Sequence, residues 1–389
     1  MRALHLALLG AAVAAPAAAQ PVQFSAVATS EIGYAVNPFL VPGVTEGSIL
    51  AAVGIEPKLL YQTARSTTTL QGKYNRENYL NRFGHSDSGE IGLVRTDLLS
   101  QFLTSTLTGT YTTTNQARIN DPAVAASDPL DIGRRTKTLA GSYQLQWQAT
   151  ARDQLSYGAQ ASHRSYGTGR SLGPGLGSLV SNYTQYSANA GYNRLLDART
   201  TIGAQVSVSS TRSKIYPDSR VIQPSLTAKR QLNAIWEIDG HVGVVLQHVK
   251  GPFASSSTSL GLGLNLCGTY PRSTICIQAS RDTQPSGYGS LREQTSVSVH
   301  LTHELDEHSR IRVNAQYLKD SSNDLPTVTG VRVVNNAKAF LGMAEYDRDL
   351  TPRISAGFGG RFQQRDLSTI GTGRSYGGSI HVRAKLGRM

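Results

Sequence analysis

The sequence is short of what a soluble core or a helical membrane bundle would need. Beyond residue 20 it has no long apolar run, so no segment there can cross a bilayer as the ~20-residue helix that the hydrocarbon thickness demands. Bulky apolar side chains are few, with Phe 8, Met 3 and Trp 2 in 389 residues, and only 39% of the chain is hydrophobic. A soluble domain of this length would bury a large apolar core. Charge is sparse at 16% and unbalanced, with 38 Lys and Arg against 26 Asp and Glu. Cysteine is reduced to Cys267 and Cys276, too few to hold a metal unaided. The 9 histidines form no H-E-x-x-H spacing, and no nucleophile elbow is present. The expectation is a protein that is not an enzyme and needs no cofactor. A hydrolase assembled from scattered loop residues such as His85, Ser86 and Asp87 is the minor alternative.

What the chain does have begins with "MRALHLALLGAAVAAPAAAQ". Arg2 gives a positive start, residues 4–15 are largely apolar, and Ala17 and Ala19 supply the A-x-A pattern of a cleavage site before Gln20. Residues 1–19 read as a secretory signal peptide and residues 20–389 as the mature protein. Secretion makes nucleic acid an improbable partner for the +12 net charge and leaves anionic lipid, lipopolysaccharide or an acidic polymer.

The remainder alternates with period two. In "RTTIGAQVSVSSTR", residues 199–212, Ile202, Ala204, Val206 and Val208 are apolar, while Thr201, Gly203, Gln205, Ser207 and Ser209 are small or polar. That is a strand with one apolar and one polar face. The same pattern recurs in "TLAGSYQLQWQA", "QLSYGAQASHR", "QYSANAGYN", "SRIRVNAQYL", "PRISAGFGGRF" and "YGGSIHVRAKL". A helical sequence would not hold period two for so long. Short turns carry Leu196-Asp197, Leu232-Asn233, Leu305-Asp306 and Leu350-Thr351, whose polar side chains can bond their own backbone. Longer polar connections, such as residues 116–134 and 167–182, alternate with them. All of this predicts an all-β, transmembrane, antiparallel up-and-down barrel with a polar lumen and about eighteen strands, roughly sixteen being the alternative. Pro57 marks a bulge or a shortened first hairpin.

The cysteines flank a turn at Pro271-Arg272 that sets them opposite each other on adjacent strands, so a cross-strand disulfide is expected over free thiols. Parity assigns the walls. Arg312 on one strand, Arg353, Arg361 and Arg365 on another, and His381, Arg383 and Lys385 on the last all point inward, with Arg164 and Lys73 as additions. They read either as a cationic, anion-attracting lumen or as wall residues paired with Glu237, Asp239, Glu304 or Glu345. Tyr143, Trp147, Tyr157, Tyr192, Trp236 and other aromatics fall outward, as interfacial girdles do. The repeated "GTGRS", residues 167–171 and 371–375, reads as two flexible loop tips.

The signal peptide, the alternating strands and the Leu-Asp or Leu-Asn turns together resemble the alphaproteobacterial β-barrel porins of the beta-barrel porin 2 type, which accompany exopolysaccharide gene clusters. The resemblance covers most of the mature chain. It implies an outer-membrane channel passing anionic solutes, linked to exopolysaccharide export, with lipopolysaccharide, an acidic polysaccharide and periplasmic export components as partners. A barrel plugged by its own loops and serving as a scaffold is the alternative, and the oligomeric state is left open.

Overall fold

The computed structural model describes residues 22–81, 83–115, 135–167, 181–214, 217–250, 254–285, 291–322, 336–367 and 371–387. Ala17, Ala19 and Gln20, and the connections 116–134 and 168–180, lie outside the described residues. The first nine strands are β1 (Val22–Val36), β2 (Gly47–Gln62), β3 (Ser66–Tyr79), β4 (Gly84–Ser100), β5 (Leu103–Asn115), β6 (Arg135–Gln148), β7 (Asp153–Tyr166), β8 (Tyr183–Asp197) and β9 (Thr200–Ser213). The second nine are β10 (Ser219–Gln231), β11 (Trp236–Val249), β12 (Ser255–Tyr270), β13 (Ser273–Pro285), β14 (Leu291–Glu304), β15 (Ser309–Ser322), β16 (Asn336–Asp349), β17 (Ile354–Leu367) and β18 (Gly371–Gly387). Each pairs antiparallel with its sequence neighbour, and β1 pairs with both β2 and β18, closing an 18-stranded barrel. The expected strand pattern is therefore realised in full, at the larger of the two strand counts.

Closure leaves no sheet edge, which is the condition for a β-structure in lipid, where unpaired backbone groups cannot turn to water. Strands run from 13 residues in β5 to 17 in β4, longer than the ~9–11 a tilted strand needs to cross. Side chains follow the period-two reading. Thr201 and Gln205 line an interior cavity while Val206 is turned out. Phe358 and Ile380 are 59% and 63% exposed on the outer wall, a surface that only apolar surroundings could cover. Trp147, Tyr192, Trp236 and Tyr270 ring one end of that wall, and Tyr34, Tyr111, Tyr186 and Tyr376 ring the other. Trp236 and Tyr270 meet edge to face at 6.1 Å, and Tyr346 lies 5.2 Å from Phe358.

The two ends of the barrel differ. At one end the connections are short and self-capped. Asp197 accepts the backbone N–H of Arg199, Asn233 those of Ile235 and Trp236, Asp306 that of His308, and Thr351 those of Arg353 and Ile354. Thr63 and Thr150 do the same in turns that carry no leucine signature. The N–H of His308 holds the Asp306 carboxyl below its usual pKa. Its contribution is therefore present above the unfolded-state value and is lost as pH falls through the lower folded one. The other end carries the longer connections.

Local irregularities have local causes. The β1–β2 ladder runs unbroken past Ala26↔Pro57, whereas the β2–β3 ladder breaks between Ile55↔Tyr74 and Lys58↔Gln71. Proline lacks the N–H that ladder would need, and Gly72 leaves room for its ring. Cys267 and Cys276 are register partners with Cα atoms 4.2 Å apart and form the expected disulfide. One expectation fails. Residues 371–375 open β18 and are not a loop tip. Gly371, at φ +104°, makes the entry turn, and Thr372 and Arg374 then pair with Asp366 and Gln364. Of the other copy, residues 168–171 lie outside the described residues.

The parity has a direct check. In lipid vesicles, Gln205→Cys should react with a water-soluble maleimide and Val206→Cys should not, because the native cysteines are tied up in the disulfide. The reverse pattern would put the apolar face inside. Asn233→Ala removes two backbone acceptor contacts and should cost about 1 kcal/mol in urea unfolding of the folded barrel.

Candidate functional site: the barrel lumen

The inward face is not uniform. From β5 to β9 it is almost free of charge. Every even position of β5 from Thr104 to Thr114 is threonine, and the inward positions of β6 to β9 are mostly Ser, Thr, Gln, Asn and Gly, with Arg164 as the charged exception. Charge gathers on the other side of the seam. β1 to β4 turn Glu31, Glu56, Glu77 and Glu90 inward, and β15 to β18 turn Arg312, Arg361, Arg365, His381, Arg383 and Lys385 inward. These two walls border a cavity of about 870 Å³, reached also by the threonines of β5. A second cavity, about 880 Å³, lies against the amide-rich strands β8 to β15.

The basic wall is built around Asp347, which is 1% exposed. His381 Nε2 lies 2.8 Å and Arg383 Nη1 2.6 Å from its Oδ1, while Arg312 Nη2 reaches Oδ2. Glu345 shares the same arginines, at 3.0 Å from Arg312 and 3.5 Å from Arg383. A carboxylate withdrawn from water needs such multiple cationic donors to offset its lost hydration. The reach from β18 to β16 crosses β17 at one place. In register, Asp347 faces Gly357 and Gly357 faces His381. A Cβ at residue 357 would sit 2.7 Å from His381 Nε2. A side chain is excluded there twice over, by the backbone carbonyl of Tyr346 on β16 and by the His381 ring that passes over residue 357.

The sequence-named residues divide accordingly. Arg312, His381 and Arg383 meet in this lattice. Lys73 is 2.7 Å from Glu56, and Lys385 is 3.9 Å from Asp349. Arg361 and Arg164 line the first cavity, Arg164 lying 5.6 Å from the Tyr166 ring centre. Arg365 is buried in the wall near the long-connection end of β17. Arg353, expected on the inward face of this strand, lies instead in the exposed turn before β17, because the strand begins only at Ile354; its carbonyl accepts the Lys385 N–H. Of the carboxylates named for pairing from the sequence, Glu345 takes that role here, while Glu237 pairs with Lys229 and Asp239 with Asn265; Asp347, Asp349 and Glu56 are partners that the sequence reading did not name. Among the described residues no group of three His, Cys, Asp or Glu side chains is placed to hold a metal ion.

The connection after β1 has no counterpart in the alternating strand pattern. The connection between β1 and β2, residues 37–46, folds back into the lumen. Asn37 is 0% exposed and clamps the turn: Oδ1 accepts the Val41 N–H at 2.9 Å, and Nδ2 donates to Val41 O and to Arg374 O on β18. Phe39 packs on Tyr79 and Phe83 at 5.5 and 5.6 Å and joins inward Ala35, Leu50 and Ala52. The carbonyl of Leu40 lies against Gly373, where a side chain would collide. Asn37 and Leu40 take φ of 44° and 55°. Left-handed backbone costs an L-residue on the order of 1–2 kcal/mol and persists where its surroundings over-determine it.

The lattice predicts a graded response. Asp347→Ala would remove the buried carboxylate that His381, Arg383 and Arg312 share, leaving Glu345 to the two arginines, and stability in urea should fall by about 3 kcal/mol. Gly357→Val should cost on the order of 1–3 kcal/mol, because its side chain would meet both the Tyr346 carbonyl and the His381 ring. Unchanged midpoints for both would show that the lattice contributes nothing to folding.

No family model matches the sequence, and no curated protein matches it. Similar outlines occur among solved structures. The F3-3 variant of the FrpB iron transporter from Neisseria meningitidis is 9% identical, with a TM-score of 0.48 over 89% of this chain; the match covers 62% of that transporter's length. The siderophore receptor PiuA from Acinetobacter baumannii is 8% identical at TM-score 0.48, over 93% of this chain and 82% of its own. Pseudomonas aeruginosa OccK2 (OpdF), solved in complex with glucuronate, is 12% identical at TM-score 0.49, over 95% of this chain and 98% of its own.

Proposed function

We propose that the protein is an outer-membrane channel through which polar solutes diffuse, inserted after secretion directed by residues 1–19. The observation that carries this reading is the inversion of the walls. Most large apolar side chains of the strands face out, as at Phe358 and Ile380, and a mainly polar inner face encloses two cavities of about 870 and 880 Å³. A soluble protein would bury the first set and expose the second. The short, self-capped turns then face the periplasm and the longer connections the outside, as in bacterial barrels.

Preference for anions is the second part of the proposal. Arg361, Arg383 and His381 line the first cavity beside the Asp347 lattice, and arginines on a pore wall raise the local potential for anions. The glutamates of β1 to β4 adjoin this wall across the β1–β18 seam, Glu31 being the register partner of His381, and Lys73 lies among them at 2.7 Å from Glu56. Passage of an acidic exopolysaccharide, and docking of periplasmic export components, are what the family resemblance implies. Contact with lipopolysaccharide follows from the basic balance of the chain. The in-turned 37–46 segment favours a narrowed mouth, which is also the feature a plugged scaffold barrel would have.

Single-channel recording in a planar bilayer under a KCl gradient tests the proposal. Discrete conductance, an anion-selective reversal potential and block by an acidic oligosaccharide are expected. Arg361→Glu should shift the reversal potential toward cations. Asn37→Ala, which unclamps the segment, should raise conductance. A silent bilayer from protein whose folding is verified by heat-modifiable migration would leave the scaffold reading in its place, and Asn37→Ala that restores current would identify the plug.

A further inference from the structure

The second cavity has a chemistry different from the first. Across β11 to β15, Asp239, Asn265, Gln278, Ser298 and Gln316 are successive register partners, and all five line the cavity. They form one continuous row around the inner wall. The row from Asn265 to Gln316 spans three inter-strand spacings, about 14 Å at ~4.8 Å each. Its only charge is already engaged, since Asn265 Nδ2 donates to Asp239 Oδ1 at 2.9 Å. The nearest inward lysine, Lys229, is bonded to Glu237 at 2.8 Å. Among the described residues Gln278, Ser298 and Gln316 make no side-chain hydrogen bond to the protein, although the neighbouring row closes on itself through Ser280 and Ser296 at 2.8 Å.

We propose that this row is a binding track for a neutral, polyhydroxylated solute, namely an oligosaccharide of two or three uncharged sugar rings. A primary amide offers two donors and an acceptor side by side, and a serine hydroxyl offers both roles. Sugar hydroxyls need partners of both kinds, whereas an anion needs only donors and gains most from a cation. The row has no free cation to give. Its length suits a chain better than a single small molecule. An amide left in water loses little, so presenting it in the lumen carries no folding penalty and keeps it available. This track lies apart from Arg361 and the Asp347 lattice. It rests on the water-accessible lumen of the channel reading, and not on conduction.

The test is calorimetric titration of maltotriose into the full-length barrel in detergent, with tetraethylene glycol as a comparator of similar length rich in acceptors and poor in donors. Saturable binding of maltotriose and none of tetraethylene glycol is expected. The double variant Gln278→Ala/Gln316→Ala should bind at least tenfold more weakly, with folding checked by heat-modifiable migration. Gln316→Asn on a Gln278→Asn background, which keeps the amides, should recover part of the loss. Absence of saturable binding to the unaltered protein overturns the proposal, and so does equal affinity in the double alanine variant. A barrel that binds maltotriose but passes no current would keep this inference and retire the channel, while conduction without binding would do the opposite.

Discussion

The backbone's hydrogen bonds govern everything else in this molecule. A strand in hydrocarbon cannot leave an N–H or C=O unpaired, and the chain meets that demand by pairing β1 with both β2 and β18. Once the sheet is closed, each side chain has one of two destinations, lipid or lumen. That is why a chain with so few large apolar residues can fold. It needs no central core, only a thin apolar skin, and the interior can be given to polar groups that would be intolerable in a soluble core.

Within the lumen, uncharged polar groups fill most of β5 to β9, while charge is densest on the strands that flank the β1–β18 seam. The charged half is self-consistent. Asp347 is bonded by Arg312, His381 and Arg383, and the two arginines in turn are held in place by Asp347 and Glu345. The lattice ties β15, β16 and β18 together beyond their ladders, and Gly357 is what lets it span β17. The neutral half has hydroxyls and amides on the wall instead, some bonded along the wall, as Thr108 to Ser142, and others left facing water. One lumen therefore offers a solute two surfaces of different chemistry.

The 37–46 segment adds an asymmetry along the axis. Its aromatic contact with Tyr79 and Phe83 and its clamp through Asn37 make a small apolar and hydrogen-bonded cluster inside an otherwise polar wall. The left-handed backbone at Asn37 and Leu40 is tolerated because those contacts leave it no alternative. It lies at the end with the longer connections, away from the self-capped turns.

Strand existence, facing and turn chemistry were legible in the sequence, because each is a local property. Alternation of period two assigns a face without knowledge of the partner, so Val206 and Gln205, or Phe358 and Arg361, sort correctly by position alone. Asn233 and Asp306 bond backbone two or three residues away, and Cys267 and Cys276 are joined by one hairpin. The tertiary structure alone decided what meets across strands that are not neighbours. Neither Asp347 nor the role of Gly357 has a local signature, since the His381 contact depends on the register of two successive ladders. The same holds for the Asn37 bond to Arg374, which links the first and last strands of the chain and exists only because the barrel closes. Even residues 371–375, loop-like in composition, became strand because β17 offered them a ladder. Facing is written in the order of residues; contact is written in the closure of the sheet.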